Sequence, residues 1–367
     1  MVRPQIFTAN SPQHKADQSV PFVGKPRIEW IDIAKGVGIA LVSFGHLRNG
    51  DGQSVWLPAL DELISAIYLF HMPLFYLLGG LTFSMRGGFK SFLIRKVKTL
   101  LVPYYIFSLY FLAKPFAILL IPSLRETFQT DHDYGIAHQF YDVLIAGNGL
   151  WFLMAFFVGE VIMYGLVTLT GKRKNVLIAI GTLLTVSSFY CSTYLPDLQL
   201  PFQLLAGVEV AGFMCFGLVL RYWFMGIART QALWMCLVGL ILFGMIAVAV
   251  VENKVPSIIR WAALSLAAFL GSAVIIFLCI TLQTNKLFAC IGRDSLVYYA
   301  LNALTLNVVK VGIFRALHID ATTWPFMFQI GGGIAVTALA LVLLYIENLF
   351  VQRYMWWAIG KLPRNAR

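Results

Sequence analysis

Charge is what this chain has least of. Only 12% of its 367 residues are Asp, Glu, Lys or Arg, about half the ~25% usual in a soluble domain. With 59% hydrophobic residues, that shortage excludes an ordinary soluble globule and predicts an all-α, polytopic integral membrane protein. Cysteine is also scarce. Cys191, Cys215, Cys236, Cys279 and Cys290 show no metal-ligand spacing, so they read as buried structural thiols, and no metal is expected. The sequence has no P-loop, no GxSxG elbow, no HExxH and no dinucleotide fingerprint, which removes the chemistries of soluble-type sites. No apolar core precedes position 28. Residues 1–27, with Pro4, Pro12, Pro21 and Pro26, read as a flexible cytosolic tail rather than a signal peptide. Residues 28–352 form one transmembrane domain, and 353–367 a second cytosolic tail. No internal repeat and no soluble domain is discernible.

What the chain has is apolar runs. Ten are long enough, or nearly so, to cross a bilayer: 30–48, 60–84, 98–121, 148–170, 175–194, 203–221, 231–251, 258–282, 294–316 and 325–350. The first is short and charged, so it is expected against other helices rather than lipid. The formal charge of +11 is read through loop asymmetry rather than as a footprint for nucleic acid. On a ten-span frame the clusters Arg86–Lys98, Lys172–Lys174, Arg221/Arg229, Lys286/Arg293 and both tails fall on one side. The opposite loops hold few cations, and the longest, 122–147, is acidic and contains His132 and His138. The positive-inside rule then predicts both termini in the cytosol.

Within the first run, Lys35 and His46 are eleven positions apart. At about 100° per residue that is three turns, so the two side chains share a helix face roughly 16 Å apart along the axis. Asp32 projects near the same face, one turn before Lys35. Ionisable groups are costly in hydrocarbon and mark functional candidates. An imidazole such as His46 can take a proton from a hydroxyl, or it can be a packing group bonded to a neighbour. Lys35 can snorkel to the interface, and Asp32 can be its i,i+3 partner. In Phe70-His71-Met-Pro73-Leu-Phe75, Pro73 is expected to kink the helix, with His71 facing the His46 cavity or capping the kink. Arg95 and Lys98, three apart, could hold phosphates or simply anchor the helix. Trp151 opens the fourth run. Glu209, Glu160, Lys114 and Lys310 lie at membrane depth, each expected to face the interior with a polar partner. In Ile291-Gly292-Arg-Asp294-Ser295-Leu-Val-Tyr-Tyr299-Ala-Leu-Asn302, Gly292 is expected to end a turn and Asp294 or Ser295 to cap the ninth helix.

In this order the segments resemble the acyltransferase 3 family of membrane acyltransferases, over about residues 27–350. The family's basic residue, ten residues, then His is matched by Lys35 and His46. Its Phe-x-Met-Pro-Leu-Phe segment is similar to Phe70–Phe75. Its Arg-x-x-Arg pattern is similar to Arg95-Lys-Val-Lys98, and its Leu-Trp-Phe-Leu to Leu150–Leu153. Its Gly-x-x-Ser-Leu-x-x-Tyr signature is similar to Gly292–Tyr299. The chain departs from the family in carrying Lys at 35 and 98, where the Arg fork is lost. It also has Asn302 and Asn148 where His is frequent.

The resemblance implies acetyl-CoA as a cytosolic donor substrate and no tightly bound cofactor. It implies a sugar hydroxyl of an exopolysaccharide, lipid-linked oligosaccharide or O-antigen as acceptor, in a bacterial inner membrane. It further implies His46 as base or acyl carrier, Lys35 and Asp32 beside it, and Arg95 and Lys98 on the CoA phosphates. His71, Trp151, Glu209, Ser295 and Asn302 would line the cavity. The alternative from the residues alone is a transporter or flippase, for which polar groups on a broken-helix path also suffice. No symmetric pair of broken helices supports that alternative.

Overall fold

The computed structural model describes residues 28–48, 54–120 and 136–361, and among them there is no strand. The tail 1–27, most of the acidic loop and residues 362–367 lie outside the described residues, as does the side chain of Lys114. Fourteen α-helices are described. They are α1 (Glu29–Gly45), α2 (Asp61–Tyr68), α3 (His71–Thr82), α4 (Gly88–Lys96), α5 (Val102–Leu120), α6 (Ile136–Tyr141) and α7 (Trp151–Thr170). The rest are α8 (Lys174–Tyr194), α9 (Leu204–Gly226), α10 (Arg229–Val251), α11 (Ser257–Leu282), α12 (Lys286–Arg293), α13 (Ser295–Lys310) and α14 (Phe326–Tyr354).

Eight helical stretches are long and apolar enough to cross a membrane: 58–82, 137–170, 174–194, 201–226, 229–251, 257–282, 295–316 and 326–354. They fall on eight of the ten expected runs. The other two are helical as well. The third run is α5, continued from α4 through a π-helical turn at Val97–Leu101. The first is α1, only 17 residues long and carrying Glu29, Asp32 and Lys35. As expected, it lies against other helices, packing on α12, α11, α13, α3 and α14. By contrast α10 turns large apolar side chains outward, among them Leu237, Val238, Ile241 and Met245, a surface suited to lipid.

Glycines set the helix spacing, because lipid tails supply no hydrophobic drive between helices and close packing must do the work. A Cβ at Gly292 of α12 would stand 1.8 Å from the Asp32 carbonyl oxygen of α1, and one at Gly36 would stand 2.0 Å from that of Phe288. The two backbones therefore touch. Gly292 sits inside α12 and serves this contact, so the expected turn-ending role is not the one it has. Gly80 and Gly217 bring α3 and α9 together in the same way, with Cβ distances of 2.2 Å to the Met214 and Leu77 carbonyl oxygens. Gly159 and Gly207 do so between α7 and α9, and Gly181 and Gly212 between α8 and α9.

Two local expectations are corrected. The break in the second run falls upstream of Pro73, at Leu69–Phe70, between α2 and α3. Pro73 then lies in the first turn of α3, where no intrahelical partner waits for an N–H. Nor do Asp294 and Ser295 make a side-chain cap on α13. The Asp294 carboxylate is bound instead by Lys361 Nζ at 2.8 Å and Asn348 Nδ2 at 3.2 Å, from the end of the chain. The five cysteines are free thiols, with Cys215, Cys236 and Cys279 buried.

Gly292→Ala and Gly36→Ala each force α1 and α12 apart, a kind of overpacking that costs about 1–3 kcal/mol or more. Gly331→Ala, where a Cβ meets nothing within 4 Å, is expected to be neutral or stabilising by up to ~1 kcal/mol. Thermal unfolding of the purified variants in detergent tests the contrast, and equal melting for Gly292→Ala and Gly331→Ala would remove the backbone contact from the account.

Candidate functional site

The α1–α12 contact fixes which face of α1 meets the interior. Lys35, Ile39, Ser43 and His46 fall within an arc of roughly 80° at 100° per residue. Ile39 lines an interior cavity of about 40 Å³, shared with Met72 and Phe75 of α3, Phe152 of α7, and Ser295 and Tyr299 of α13. Of the Lys35–His46 stripe, Ile39 is the residue that lines the cavity among the described residues. Both end residues are half-buried, and Lys35 is engaged by a neighbouring group.

A second stripe faces the first. On α13, Ser295, Tyr299, Asn302 and Lys310 also share an arc of about 80°. Two hydrogen bonds join the stripes. Ser43 Oγ donates to Asn302 Oδ1 at 2.6 Å, and Lys310 Nζ donates to the His46 carbonyl at 3.1 Å. Lys310 is 4% exposed and lies over the Trp56 ring, so a cation at membrane depth is held by a carbonyl and a π face. Asn302 Nδ2 is buried and has no partner among the described residues. Tyr299 Oη accepts from the Phe152 N–H at 3.4 Å.

A third element, α3, brings His71. Its Nδ1 lies 3.0 Å from the Ile67 carbonyl. A carbonyl only accepts, so Nδ1 carries the proton and Nε2 is an acceptor. The expected capping role is thus present, because this bond satisfies a carbonyl in the last turn of α2, next to the break. The facing role is compatible with it. His71 is 6% exposed and close enough to His46 for their charges to interact. Among the described residues no hydrogen bond engages the His46 ring. The His46 backbone carbonyl is held by Lys310.

The other sequence candidates are distributed around this centre. Trp151 is half-buried and packs edge-on against Phe152, whose ring lines the cavity. Asp32 is half-buried at the α12 crossing. Arg95 and Lys98 are exposed, on either side of the start of the π-helical turn. Between them Lys96 turns inward and forms an ion pair with Glu160 of α7, which supplies the partner expected for that buried carboxylate. The Lys98 carbonyl is covered by the chain end, where a Cβ at Gly360 (φ +65°) would come within 2.5 Å of it. Of the five residues expected to line the cavity, Ser295 does so, while His71, Trp151, Asn302 and Glu209 are not among the described residues that line it. Glu209 lines a separate polar pocket with Ser188 and Gln203.

Sequence reasoning missed Ser43, Tyr299 and the pairing of Lys310 with His46. Ser43 could have been found, since it stands on the stripe three residues before His46. The Lys310 contact spans 264 positions and leaves no local signal.

A family model described as an acyltransferase domain matches residues 28–345. No curated protein and no solved structure matches the chain.

At the break between α12 and α13, burial alone would raise the Asp294 carboxyl. The Lys361 ammonium and the amides of Asn348 and Gln352 outweigh that and hold it below its ordinary 3.8. A carboxyl lowered in the folded state contributes stability above its unfolded pKa and loses it as pH falls through the folded one. Asp294→Asn is therefore expected to melt below the parent protein at neutral pH, with the gap closing under pH 3.8. A gap that stays constant down to strongly acid pH would show that the charge is not what holds the chain end.

Proposed function

The chain belongs to the acyltransferase 3 family and is a membrane acyltransferase; on that premise we propose that it moves an acetyl group from cytosolic acetyl-CoA to a sugar hydroxyl of a surface glycan, in a bacterial inner membrane. The observation that carries the reading is the pair of facing stripes on α1 and α13, with an imidazole at one end and a lysine at the other.

In this reading Arg95 and Lys98 hold the CoA phosphates, and their exposure beside an already neutralised Lys96 supports that assignment. The pantetheine arm enters between the helices toward the stripe. His46 takes the proton of the acceptor hydroxyl as its oxygen attacks the thioester carbonyl. The carbon–sulfur bond then breaks, CoA leaves as a thiolate, and the imidazolium returns the proton to it. Lys310 holds the segment that carries His46, and Lys35 offsets negative charge near the thioester. Asp32 sets the local charge at the α12 crossing. Asn302 brings N–H donors rather than an acid–base group, so its unpartnered Nδ2 suits a developing oxyanion.

Purified protein in nanodiscs is expected to release free CoA from acetyl-CoA when acceptor glycan is present. His46→Ala, folded to the same extent, should lower that rate by about 10²–10⁴-fold; full activity in this variant would end the mechanism. Replacing Arg95 and Lys98 together by Ala is expected to raise the acetyl-CoA KM about tenfold or more with kcat little changed, as loss of charge-assisted contacts to the donor predicts. An unchanged KM would assign the two cations to membrane anchoring.

A further inference from the structure

The polar pocket at Glu209 is not used by the chemistry above. It has a volume of about 210 Å³ and lies where α7 and α9 begin and α8 ends. Its polar lining consists of Asn148, Gln199 and Gln203, the hydroxyls of Ser188 and Ser192, and Glu209, with Leu198, Leu200 and Leu205 between them. Among the described residues no cation lines it, so none of them is suited to a phosphate or sulfate. Amides offer both donors and acceptors, and hydroxyls do the same. Apolar side chains alternate with them. That mixture matches a ring of neutral hydroxyls with C–H faces, and the volume suits a ligand of single-sugar size, below the ~300–1,000 Å³ of drug-sized pockets.

The pocket is built rather than incidental. Gln203 Nε2 donates to Asn148 Oδ1 at 2.6 Å, and Ser188 Oγ donates to Glu209 Oε2 at 3.4 Å. Phe202 and Gln203 are consecutive non-glycine residues in the left-handed region, at φ 56° and 54°, an uncommon backbone that clusters at ligand sites. Gly147 (φ +86°) admits them, since a Cβ there would stand 3.2 Å from Gln203 Cγ. No cation neutralises the Glu209 carboxylate among the described residues, and its one hydrogen-bond donor there is Ser188. It retains acceptor capacity toward the pocket.

Phe75 and Tyr76, about one turn into α3, pair with Phe152 at the start of α7 near the pocket, and His71 at the start of α3 is close to His46. Buried Tyr76 is close enough to both Glu209 and Tyr299 to interact with them electrostatically.

We infer that this pocket binds one neutral sugar unit, held by Asn148, Gln203, Ser188 and the Glu209 carboxylate, apart from the hydroxyl that reacts. Identifying that unit as part of the acceptor rests on the acyl-transfer reading; the binding itself does not. The test is saturation-transfer NMR on the full chain in nanodiscs, with the methyl glycosides of glucose, galactose, mannose, rhamnose and N-acetylglucosamine as probes and glucose 6-phosphate as the anionic counterpart. At least one neutral probe should receive saturation, and the phosphate much less. Ser192→Trp, a change at the exposed rim, should abolish the signal. The near-isosteric Glu209→Gln should weaken it about tenfold, as expected for losing a charge-assisted bond, and His46→Ala should leave it intact. No signal from any neutral probe, or a full signal in both Ser192→Trp and Glu209→Gln, overturns the assignment. CoA release without sugar binding here would end the pocket and leave acyl transfer standing. Sugar binding without CoA release would do the reverse.

Discussion

The contact of two backbones at Gly36 and Gly292 is the constraint on which the site depends. The helix that carries Lys35 and His46 is short and holds three charged residues in its first two turns, so it cannot be stabilised by a coat of lipid. It is held by protein. With a Cβ at Gly292 excluded by 1.8 Å from the Asp32 carbonyl, the N-terminal half of α1 has one seat and one rotation. That rotation turns Ile39, Ser43 and His46 toward α3 and α13. The remaining glycine contacts, through Gly80, Gly217, Gly159 and Gly207, draw α3, α7 and α9 into the other walls of the same interior.

Once α1 is seated, its polar groups pair with those of α13. The Ser43–Asn302 bond and the Lys310 bond to the His46 carbonyl act at two levels of the same pair of helices, and so fix their register as well as their separation. Buried polar groups are costly when unpaired, and most here are paired. Among the described residues, the His46 ring and the Asn302 Nδ2 have capacity left over. The His71 bond to Ile67 stabilises the α2–α3 break and leaves Nε2 as an acceptor.

Arg95 and Lys98 are exposed, and Lys96 between them turns inward to pair with Glu160. Asp294 gathers Lys361, Asn348 and Gln352 at the α12–α13 break and ties down the chain end, whose Gly360 turn covers the Lys98 carbonyl. The Glu209 pocket is lined by amides, hydroxyls and one carboxylate, with no cation among the described residues.

Most of the architecture was legible along the chain. Apolar run length marked the helices, the three-turn spacing put Lys35 and His46 on one face, and ordered motifs pointed to the family. Locally, the sequence misled where two roles competed for one residue. Pro73 could kink a helix or begin one, and it stands in the first turn of α3, where its missing N–H costs nothing; Asp294 could cap or bind a lysine, and it binds Lys361 and Asn348. Periodicity determines which residues share a face, since that follows from 3.6 residues per turn alone. It does not determine what that face meets. That Lys310 holds His46, that Lys96 neutralises Glu160, and that Glu209 opens on a separate pocket were decided only by the tertiary structure, because helix rotation and depth are set by backbone contacts between glycines far apart in the chain.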